Sequence, residues 1–278
     1  MEIPESLISM LADSLGKPSE LSSEERAKMH AENHNSLTGS LNDNDGYDCK
    51  VCKNKGTVAA VVQIAPDVWD IEFQECRCMK VRASIRNMER SGLKNLIKTY
   101  TFERFEDGED WQKKIKSAAM EYAEGRNGWF FLGGQSGSGK THLCTAICRK
   151  FLLDGKPVQY MLWRDDIVRL KAAVNDEDAY RQMIDRFKSV KVLYIDDLFK
   201  SGKRDDAQQP TVADINIAFE ILNYRYNDPE LLTVISSELT IREIVSIDEA
   251  VGGRIYERSK AYSLNIDPDS QKNFRLIT

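Results

Sequence analysis

A glycine-rich stretch, GQSGSGKT at residues 134–141, carries lysine and threonine at the spacing of a loop that binds phosphate. Its glycines let the backbone curl so that N–H groups point onto phosphate oxygens, and a helix beginning at the loop adds its positive end. Lys140 is expected to reach the β- and γ-phosphates of ATP, and the Thr141 hydroxyl to bind Mg²⁺. The residues predicted to bind the nucleotide are Gly134, Gln135, Ser136, Gly137, Ser138, Gly139, Lys140, Thr141 and His142.

Two acids end the apolar stretch VKVLYIDD at residues 190–197. Asp196 is predicted to hold Mg²⁺ through water, at the end of a central strand. Asp197 follows at a position where a second carboxylate can polarise the attacking water. Acid pairs also occur in ordinary turns at strand ends, but the phosphate loop earlier in the chain favours the catalytic interpretation.

Four of the six cysteines, Cys49, Cys52, Cys76 and Cys78, form a C-x2-C pair and a tighter C-x-C pair. Between the pairs, alternating apolar and polar residues predict a β-hairpin. Four thiolates on two turns can complete a tetrahedron around Zn²⁺, which would supply folding energy that so short a segment cannot gain by burial. A redox pair or plain core thiols are the alternatives.

Near the end of the sequence, VGGRIYERSK places Arg254 and Arg258 four residues apart, so both project from one face of a helix. Two cations on one face repel each other, which indicates an anionic partner. Because Lys140 already serves the chain's own nucleotide, the favoured interpretation is that an arginine faces the γ-phosphate of a neighbouring subunit. A surface salt bridge is the alternative.

The composition is that of an ordinary globular protein: of 278 residues, 41% are hydrophobic and 30% are charged. No apolar run of about 18 residues occurs, so no membrane-spanning helix is expected. The N-terminal stretch lacks the basic region of a secretory signal, and six cysteines without such a signal indicate a reducing, cytoplasmic setting. The net charge of −5 gives no global case for nucleic acid.

A local case for single-stranded DNA rests on basic residues that recur every four positions. On one helix they would form a stripe whose mutual repulsion a phosphate backbone relieves. A solvated basic face is the alternative, since aromatic residues for base stacking are sparse nearby. The residues are Arg82, Arg86, Arg90, Lys94 and Lys98.

The chain divides into four predicted zones. The first zone begins with an apolar stripe at helical spacing, which must pack against another surface. That surface is either this protein's own core or, as favoured, a partner protein. A capping box of Ser22 and Glu25 predicts a second helix there, to about Asn33. The stripe consists of Ile3, Leu7, Ile8, Leu11 and Leu15. The zones are an N-terminal helical, partner-binding segment and linker (1–48), a zinc-binding module (49–80), a basic connector helix (81–100) and an ATPase domain (101–278).

In the last zone, five apolar segments of strand length alternate with helical stretches. This order predicts an α/β fold with a five-stranded, mostly parallel sheet covered by helices. The predicted strands are Trp129–Leu132, Val158–Leu162, Val192–Asp196, Leu232–Ser236 and Tyr262–Ile266.

Five stretches together resemble the DnaC/DnaI/IstB group of AAA+ P-loop ATPases: YTFERFE, GGQSGSGKT, VLYIDD, VISSELT and GGRIYERSK. The resemblance covers about residues 100–278. The cysteine module with its flanking helices is similar to the DnaI-like helicase loaders in particular. Those proteins help to place the ring-shaped replicative helicase on DNA and grip it with their N-terminal part. The resemblance implies an arginine finger at Arg254 or Arg258, without saying which.

The chain departs from the usual AAA+ pattern in three respects. Asp197 stands where AAA+ proteins usually carry glutamate, which fits this subgroup and implies slow hydrolysis. The sensor-1 position falls among Ser236, Ser237 and Glu238, of which Ser237 is favoured. Few residues follow the arginine pair, so no full helical lid is expected and Arg275 is the sensor-2 candidate.

The sequence therefore predicts an ATP-dependent loader of the hexameric replicative DNA helicase, with ATP, Mg²⁺ and Zn²⁺ as cofactors. Residues 1–80 are expected to bind the helicase, and the chain to self-associate or form a ring on it. Single-stranded DNA is a further expected partner, and no membrane is. Two alternatives stay open: an IstB-like transposition helper ATPase, a class that usually lacks the cysteine module, and a nucleotide-switched adaptor with negligible turnover.

Overall fold

The computed structural model describes residues 21–88, 96–125, 127–200 and 209–275. The chain divides into two compact units, Met1–Arg82 and Ala83–Thr278. The predicted N-terminal stripe, Ile3 to Leu15, lies outside the described residues, as do Arg90 and Lys94 of the predicted basic stripe.

The first unit contains helices, a hairpin and four of the six cysteines. Helix α1 (Ser23–Ser36) begins with the predicted capping box, in which the Ser22 side chain accepts from the backbone of Glu25 and the Glu25 side chain accepts from that of Ser22. The helix continues three residues beyond the predicted end. The predicted hairpin is confirmed, with two antiparallel strands. The other elements are α2 (Asn42–Asp45), β1 (Thr57–Ala65), β2 (Val68–Glu75) and α3 (Cys78–Met88), which begins in this unit.

Helix α1 is tied to both strands of the hairpin through their outer edges. The Ser23 hydroxyl accepts from the backbone N–H of Trp69 (2.8 Å) and donates to its carbonyl (3.1 Å). The Asn35 amide does the same for Ala59 on the other strand, at 3.0 and 2.9 Å. These bonds satisfy backbone groups that a two-stranded sheet leaves unpaired.

The second unit is built on a parallel sheet of five strands in the order β4-β5-β6-β3-β7. Every residue of β3, β5 and β6 is buried. Strands covered on both faces are apolar along their whole length, which is why these segments could be predicted. The predicted α/β class and all five strands are confirmed. The observed strands are β3 (Trp129–Gly134), β4 (Val158–Leu162), β5 (Val192–Asp196), β6 (Leu232–Ser236) and β7 (Ser263–Ile266).

Helices alternate with these strands along the chain. They are α4 (Leu96–Thr99), α5 (Asp110–Ala123), α6 (Lys140–Leu153), α7 (Trp163–Ala173), α8 (Glu177–Ser189), α9 (Val212–Tyr226), α10 (Ile241–Ile247) and α11 (Glu249–Ser259), with a 3-10 turn at Ser270–Lys272. Among the described residues, no helix has the length and apolar character to cross a membrane.

The sheet order decides where the site lies. Strands β3, β5 and β6 are neighbours and parallel, so their carboxyl ends share one edge of the sheet. The phosphate loop follows β3, Asp196 ends β5, and Ser236 ends β6. Three segments that are distant in sequence therefore meet at one edge, where open parallel sheets bind ligands.

Candidate nucleotide site and metal centre

The loop between β3 and α6 has a backbone that suits phosphate. Gly137 and Gly139 have φ values of 73° and 85°, in the left-handed region that other residues rarely adopt. The tight curl they allow ends where α6 begins, at Lys140. The positive end of α6 therefore lies next to the loop.

Lys140 lies inside the loop. Its side chain is buried, and its Nζ donates to the carbonyls of Gly134 (2.8 Å) and Gln135 (2.6 Å). Burial lowers the pKa of this amino group. A cation held so close to the loop backbone is in position to bind phosphate oxygens.

Both oxygens of the Asp196 carboxylate accept hydrogen bonds from hydroxyl groups. Oδ1 accepts from Thr141 (3.2 Å) and Tyr194 (2.7 Å) and also from Ser236, and Oδ2 accepts from Tyr160 (2.9 Å). Burial raises the pKa values of both tyrosines, so both remain donors. The contact between Thr141 and Asp196 brings together the two residues that were predicted to hold Mg²⁺.

Asp197 occupies a strained turn just after β5. Its φ is 57°, and its carboxylate accepts from Lys200 Nζ at 2.9 Å. Burial, followed by the charge of Asp196, raises the pKa of Asp197. Lys200 also contacts Glu238 Oε1 at 2.9 Å, and that same oxygen accepts from the Ser136 hydroxyl at 2.7 Å. Lys200 was missed from sequence, although its spacing of three residues from Asp197 was a usable signal.

Ser237, the favoured sensor-1 candidate, follows β6, and its hydroxyl bonds to backbone groups. Ser237 is buried, its hydroxyl donates to the Leu198 carbonyl at 2.8 Å, and the same oxygen accepts from Leu239 N–H at 3.1 Å. This side chain therefore organises the backbone and does not reach the cavity. Glu238, one of the alternatives, lines the cavity instead.

An aromatic wall completes a cavity of about 420 Å³ beside the loop. The His142 ring stacks on Tyr100 with centroids 4.5 Å apart, and its Nε2 contacts the Thr101 carbonyl at 2.8 Å. Phe105 packs edge-on against both His142 and Phe274. His142, which was predicted to bind the nucleotide, lines the cavity, and the YTFERFE stretch that contacts it was not assigned to the site. Arg275, the sensor-2 candidate, also lines the cavity.

The two arginines of α11 lie away from this cavity. Arg254 donates to Asn223 Oδ1 at 3.0 Å and lies over the Phe219 ring at 4.7 Å. Arg258 lies over Trp129, the first residue of β3, whereas the phosphate loop follows the last residue of that strand. Neither forms an ion pair with a carboxylate in the described ranges, so the salt-bridge alternative is not seen there.

The four cysteine sulfurs of the first unit converge on one point. All lie within 4.8 Å of one another and all four residues are buried. The Cys49–Cys76 and Cys52–Cys78 sulfurs are 3.8 and 3.5 Å apart, against about 3.8 Å for sulfurs placed tetrahedrally around zinc. The Gly56 N–H also donates to Cys52 Sγ at 3.3 Å, which favours a thiolate. The donor set and its spacing fit a structural zinc ion.

Arg82 is a correction to the predicted basic stripe. It is fully buried, forms an ion pair with Asp45, and donates to the Tyr47 carbonyl and to Asn54 Oδ1, both at 3.0 Å. Asn54 Oδ1 in turn accepts from the Cys49 N–H at 2.8 Å. Arg82 therefore braces the cysteine cluster and cannot face DNA, whereas Arg86 is exposed.

The model of the IstB-like ATP binding protein family matches residues 70–263, a span that includes the phosphate loop, both acids and both arginines. The chain belongs to this family. The predicted resemblance to the IstB/DnaC-type AAA+ ATPases is thereby confirmed. Membership of this family implies that the protein binds nucleotide.

Relatives of this IstB-like chain include phage and replication proteins. The XkdC protein of the phage-like element PBSX from Bacillus subtilis (strain 168) is 32% identical over 228 residues, covering 78% of this chain and 81% of the relative. The replicative helicase loader DnaC of Escherichia coli (strain K12) is 31% identical over 129 residues, which is 45% of this chain and 51% of the loader. A crystal structure of the DnaC helicase loader matches with a TM-score of 0.49 and 18% identity, covering 61% of this chain and 96% of that one.

Proposed function

We propose that this protein is an ATP-dependent loader of a hexameric replicative DNA helicase. The observation that carries the proposal is that one chain of this ATPase family joins a nucleotide site to a separate compact unit built around four cysteines. The relative DnaC is a replicative helicase loader by name. The alternative, a transposition helper, gives no account of the cysteine unit.

In this proposal the carboxyl edge of the sheet binds ATP and Mg²⁺. Lys140 and the loop N–H groups hold the phosphates, and Thr141 and Asp196 hold the metal, which would neutralise phosphate charge. Asp197 orients the attacking water. Because its carboxylate is one methylene shorter than that of the usual glutamate, hydrolysis is slow.

Turnover in this proposal requires a neighbouring subunit. Arg254 and Arg258 do not line the cavity beside the chain's own phosphate loop, so in this proposal one of them acts on the nucleotide of an adjacent copy in a ring assembled on the helicase. Guanidinium groups stabilise the charge that develops on a transferring phosphoryl group. The stacking of Arg254 on Phe219 supports a fixed direction for its side chain.

The first unit would grip the helicase, with zinc holding that unit together. Its hairpin carries Ile64 and Phe73, which are 62% and 56% exposed. In this proposal these two side chains would contact the helicase. Single-stranded DNA would be bound by the assembled ring, for which exposed Arg86 and Lys98 supply positive charge.

A capture experiment tests this assignment. The tagged full chain is incubated in host lysate with Mg²⁺ and a non-hydrolysable ATP analogue, and retained proteins are identified by mass spectrometry. We expect the replicative helicase with the native chain and its loss with a Cys52→Ser variant. Capture of a transposase without a helicase would favour the transposition helper and contradict the loader.

A further inference from the structure

Lys200 forms a bridge inside the nucleotide cavity that the proposed chemistry does not yet use. Its Nζ lies 2.9 Å from Asp197 Oδ2 and 2.9 Å from Glu238 Oε1. The side chain is 29% exposed, so the two contacts are partly shielded from water. All three side chains line the same cavity as the phosphate loop.

The bridge continues into the phosphate loop. Glu238 accepts a hydrogen bond from the Ser136 hydroxyl at 2.7 Å. Asp197, Lys200, Glu238 and Ser136 thus form one connected line from the acid that orients water to the loop that holds phosphate. A movement of the loop at Ser136 would be passed to Asp197 through Lys200.

The backbone between Asp197 and Lys200 is built to turn the lysine back toward the cavity. Asp197 and Phe199 both have positive φ, 57° and 63°, although neither is glycine. The Lys200 N–H closes the turn on the Asp197 carbonyl at 3.0 Å, and the Leu198 N–H donates to the Ser236 carbonyl at 2.9 Å. Such strain persists only where the surroundings fix it, and it is concentrated at functional sites.

Lys200 also compensates the negative charge of Glu238 beside the phosphate loop. Although burial opposes it, hydrogen bonds from Lys200 and Ser136 lower the pKa of Glu238, so this carboxylate is ionised beside the loop. Two carboxylates in a cavity that accepts a polyphosphate would repel it. Lys140 serves the bound phosphates in the proposed function, and Lys200, 2.9 Å from Glu238, compensates the charge of that carboxylate.

We infer that Lys200 is a positioning residue of the nucleotide site, which neutralises Glu238 toward the bound phosphates and holds Asp197 in place for water. This inference rests on the proposed ATPase function. It predicts two separable effects of the lysine: one on ATP affinity, through Glu238, and one on turnover, through Asp197.

Four variants separate these effects: Lys200→Met, Lys200→Arg, Glu238→Gln and the double variant Lys200→Met/Glu238→Gln. We expect Lys200→Met to weaken binding of a fluorescent ATP analogue by about tenfold. Removing the Glu238 charge in the double variant should restore affinity to within about threefold of the native value, but turnover should stay low. Lys200→Arg should retain most of both properties.

Lys188→Met is the matched control, because Lys188 forms a similar partly buried ion pair with Glu220 outside the cavity. It should leave affinity and turnover unchanged, and thermal unfolding verifies that every variant folds. Native affinity and turnover in Lys200→Met would overturn the inference. So would a double variant that binds ATP as weakly as the single one. A native chain that binds no ATP would instead overturn the proposed function.

Discussion

The two units hold their functional residues in opposite ways. In the first, the buried cluster around the candidate site is the four cysteines themselves, and the partly buried hydrophobic residues Tyr47, Val58 and Met79 pack against them. In the second, a large apolar cluster contains strand and helix residues such as Trp129, Leu193 and Ile255. The polar site residues lie at the edge of that sheet and are not part of its core.

This difference determines whether each unit stays folded when its site residues are removed. A small unit whose buried cluster is made of metal ligands, with mostly small side chains such as Ala27, Ala31 and Ala59 as its other buried apolar groups, depends on the metal for its fold. An ATPase core packed by apolar residues keeps its fold when one site side chain is removed, since its stability comes from burial elsewhere. Loss of ligands should therefore unfold one unit, and loss of site residues should disable the other without unfolding it.

The largest expected effect is that of metal removal. Chelation, or Cys52→Ser, should unfold the first unit while the second remains folded, because four uncoordinated thiols cannot form a core. Limited proteolysis with mass analysis measures which unit is cleaved, and metal analysis of the native chain should give about one zinc per chain. Cys148→Ala, a buried cysteine of the ATPase core, is the control that should retain zinc. A first unit that resists protease equally after chelation would contradict the comparison.

Lys140→Ala should abolish measurable nucleotide binding and leave the melting temperature nearly unchanged. The ammonium group is the cation held inside the phosphate loop, and its pKa is already lowered by burial, so removing it also removes a desolvation cost. Calorimetric titration with ATP and thermal unfolding measure the two properties. Normal affinity in this variant would refute the assignment of the loop.

Arg254→Ala and Arg258→Ala should each bind ATP normally, and the variant that lacks the finger should lose turnover by about a hundredfold or more. Mixing that variant with Lys140→Ala tests action between subunits, because each inactive chain supplies what the other lacks. Recovered turnover in the mixture is expected. No recovery, or equal turnover of both arginine variants and the native chain, would end the trans-acting interpretation.

The smallest expected effect is on zinc affinity, when a residue that supports the cysteine cluster of the first unit is replaced. Arg82→Gln should weaken zinc retention by about tenfold, since residues that brace metal ligands typically contribute that much. Competition with a chromophoric chelator measures it. Arg86→Gln, one helical turn further and exposed, is the matched control. Equal zinc affinity in the two variants would mean that Arg82 is unconnected to the cysteine cluster.

The elements that could be predicted from sequence are those fixed by local pattern. Strands such as Val192–Asp196 are continuous apolar runs because both faces of the sheet are covered. The Ser22–Glu25 capping box and the cysteine spacing are equally local. The phosphate loop is recognisable because phosphate binding demands glycine and lysine at fixed positions.

The details that could not be predicted depend on contacts between distant segments. Arg82 fitted a four-residue repeat of basic residues, but its burial is set by Asp45, which lies 37 positions earlier in the chain. Ser237 and Glu238 follow β6, and a hydrogen bond ties the Ser237 hydroxyl to the Leu198 carbonyl, 39 positions earlier, whereas Glu238 lines the cavity. The bridge from Lys200 to Glu238 likewise joins residues separated by 38 positions.

The central claim, ATP-dependent loading of a replicative helicase, is tested most directly by reconstitution. Purified helicase of the host is incubated with circular single-stranded DNA coated by its binding protein, and helicase retained on the DNA is counted with and without this protein and ATP. The account predicts that the native chain raises helicase occupancy on the circle in the presence of ATP and that Lys140→Ala does not. Equal occupancy without this protein, or full loading by Lys140→Ala, would contradict it.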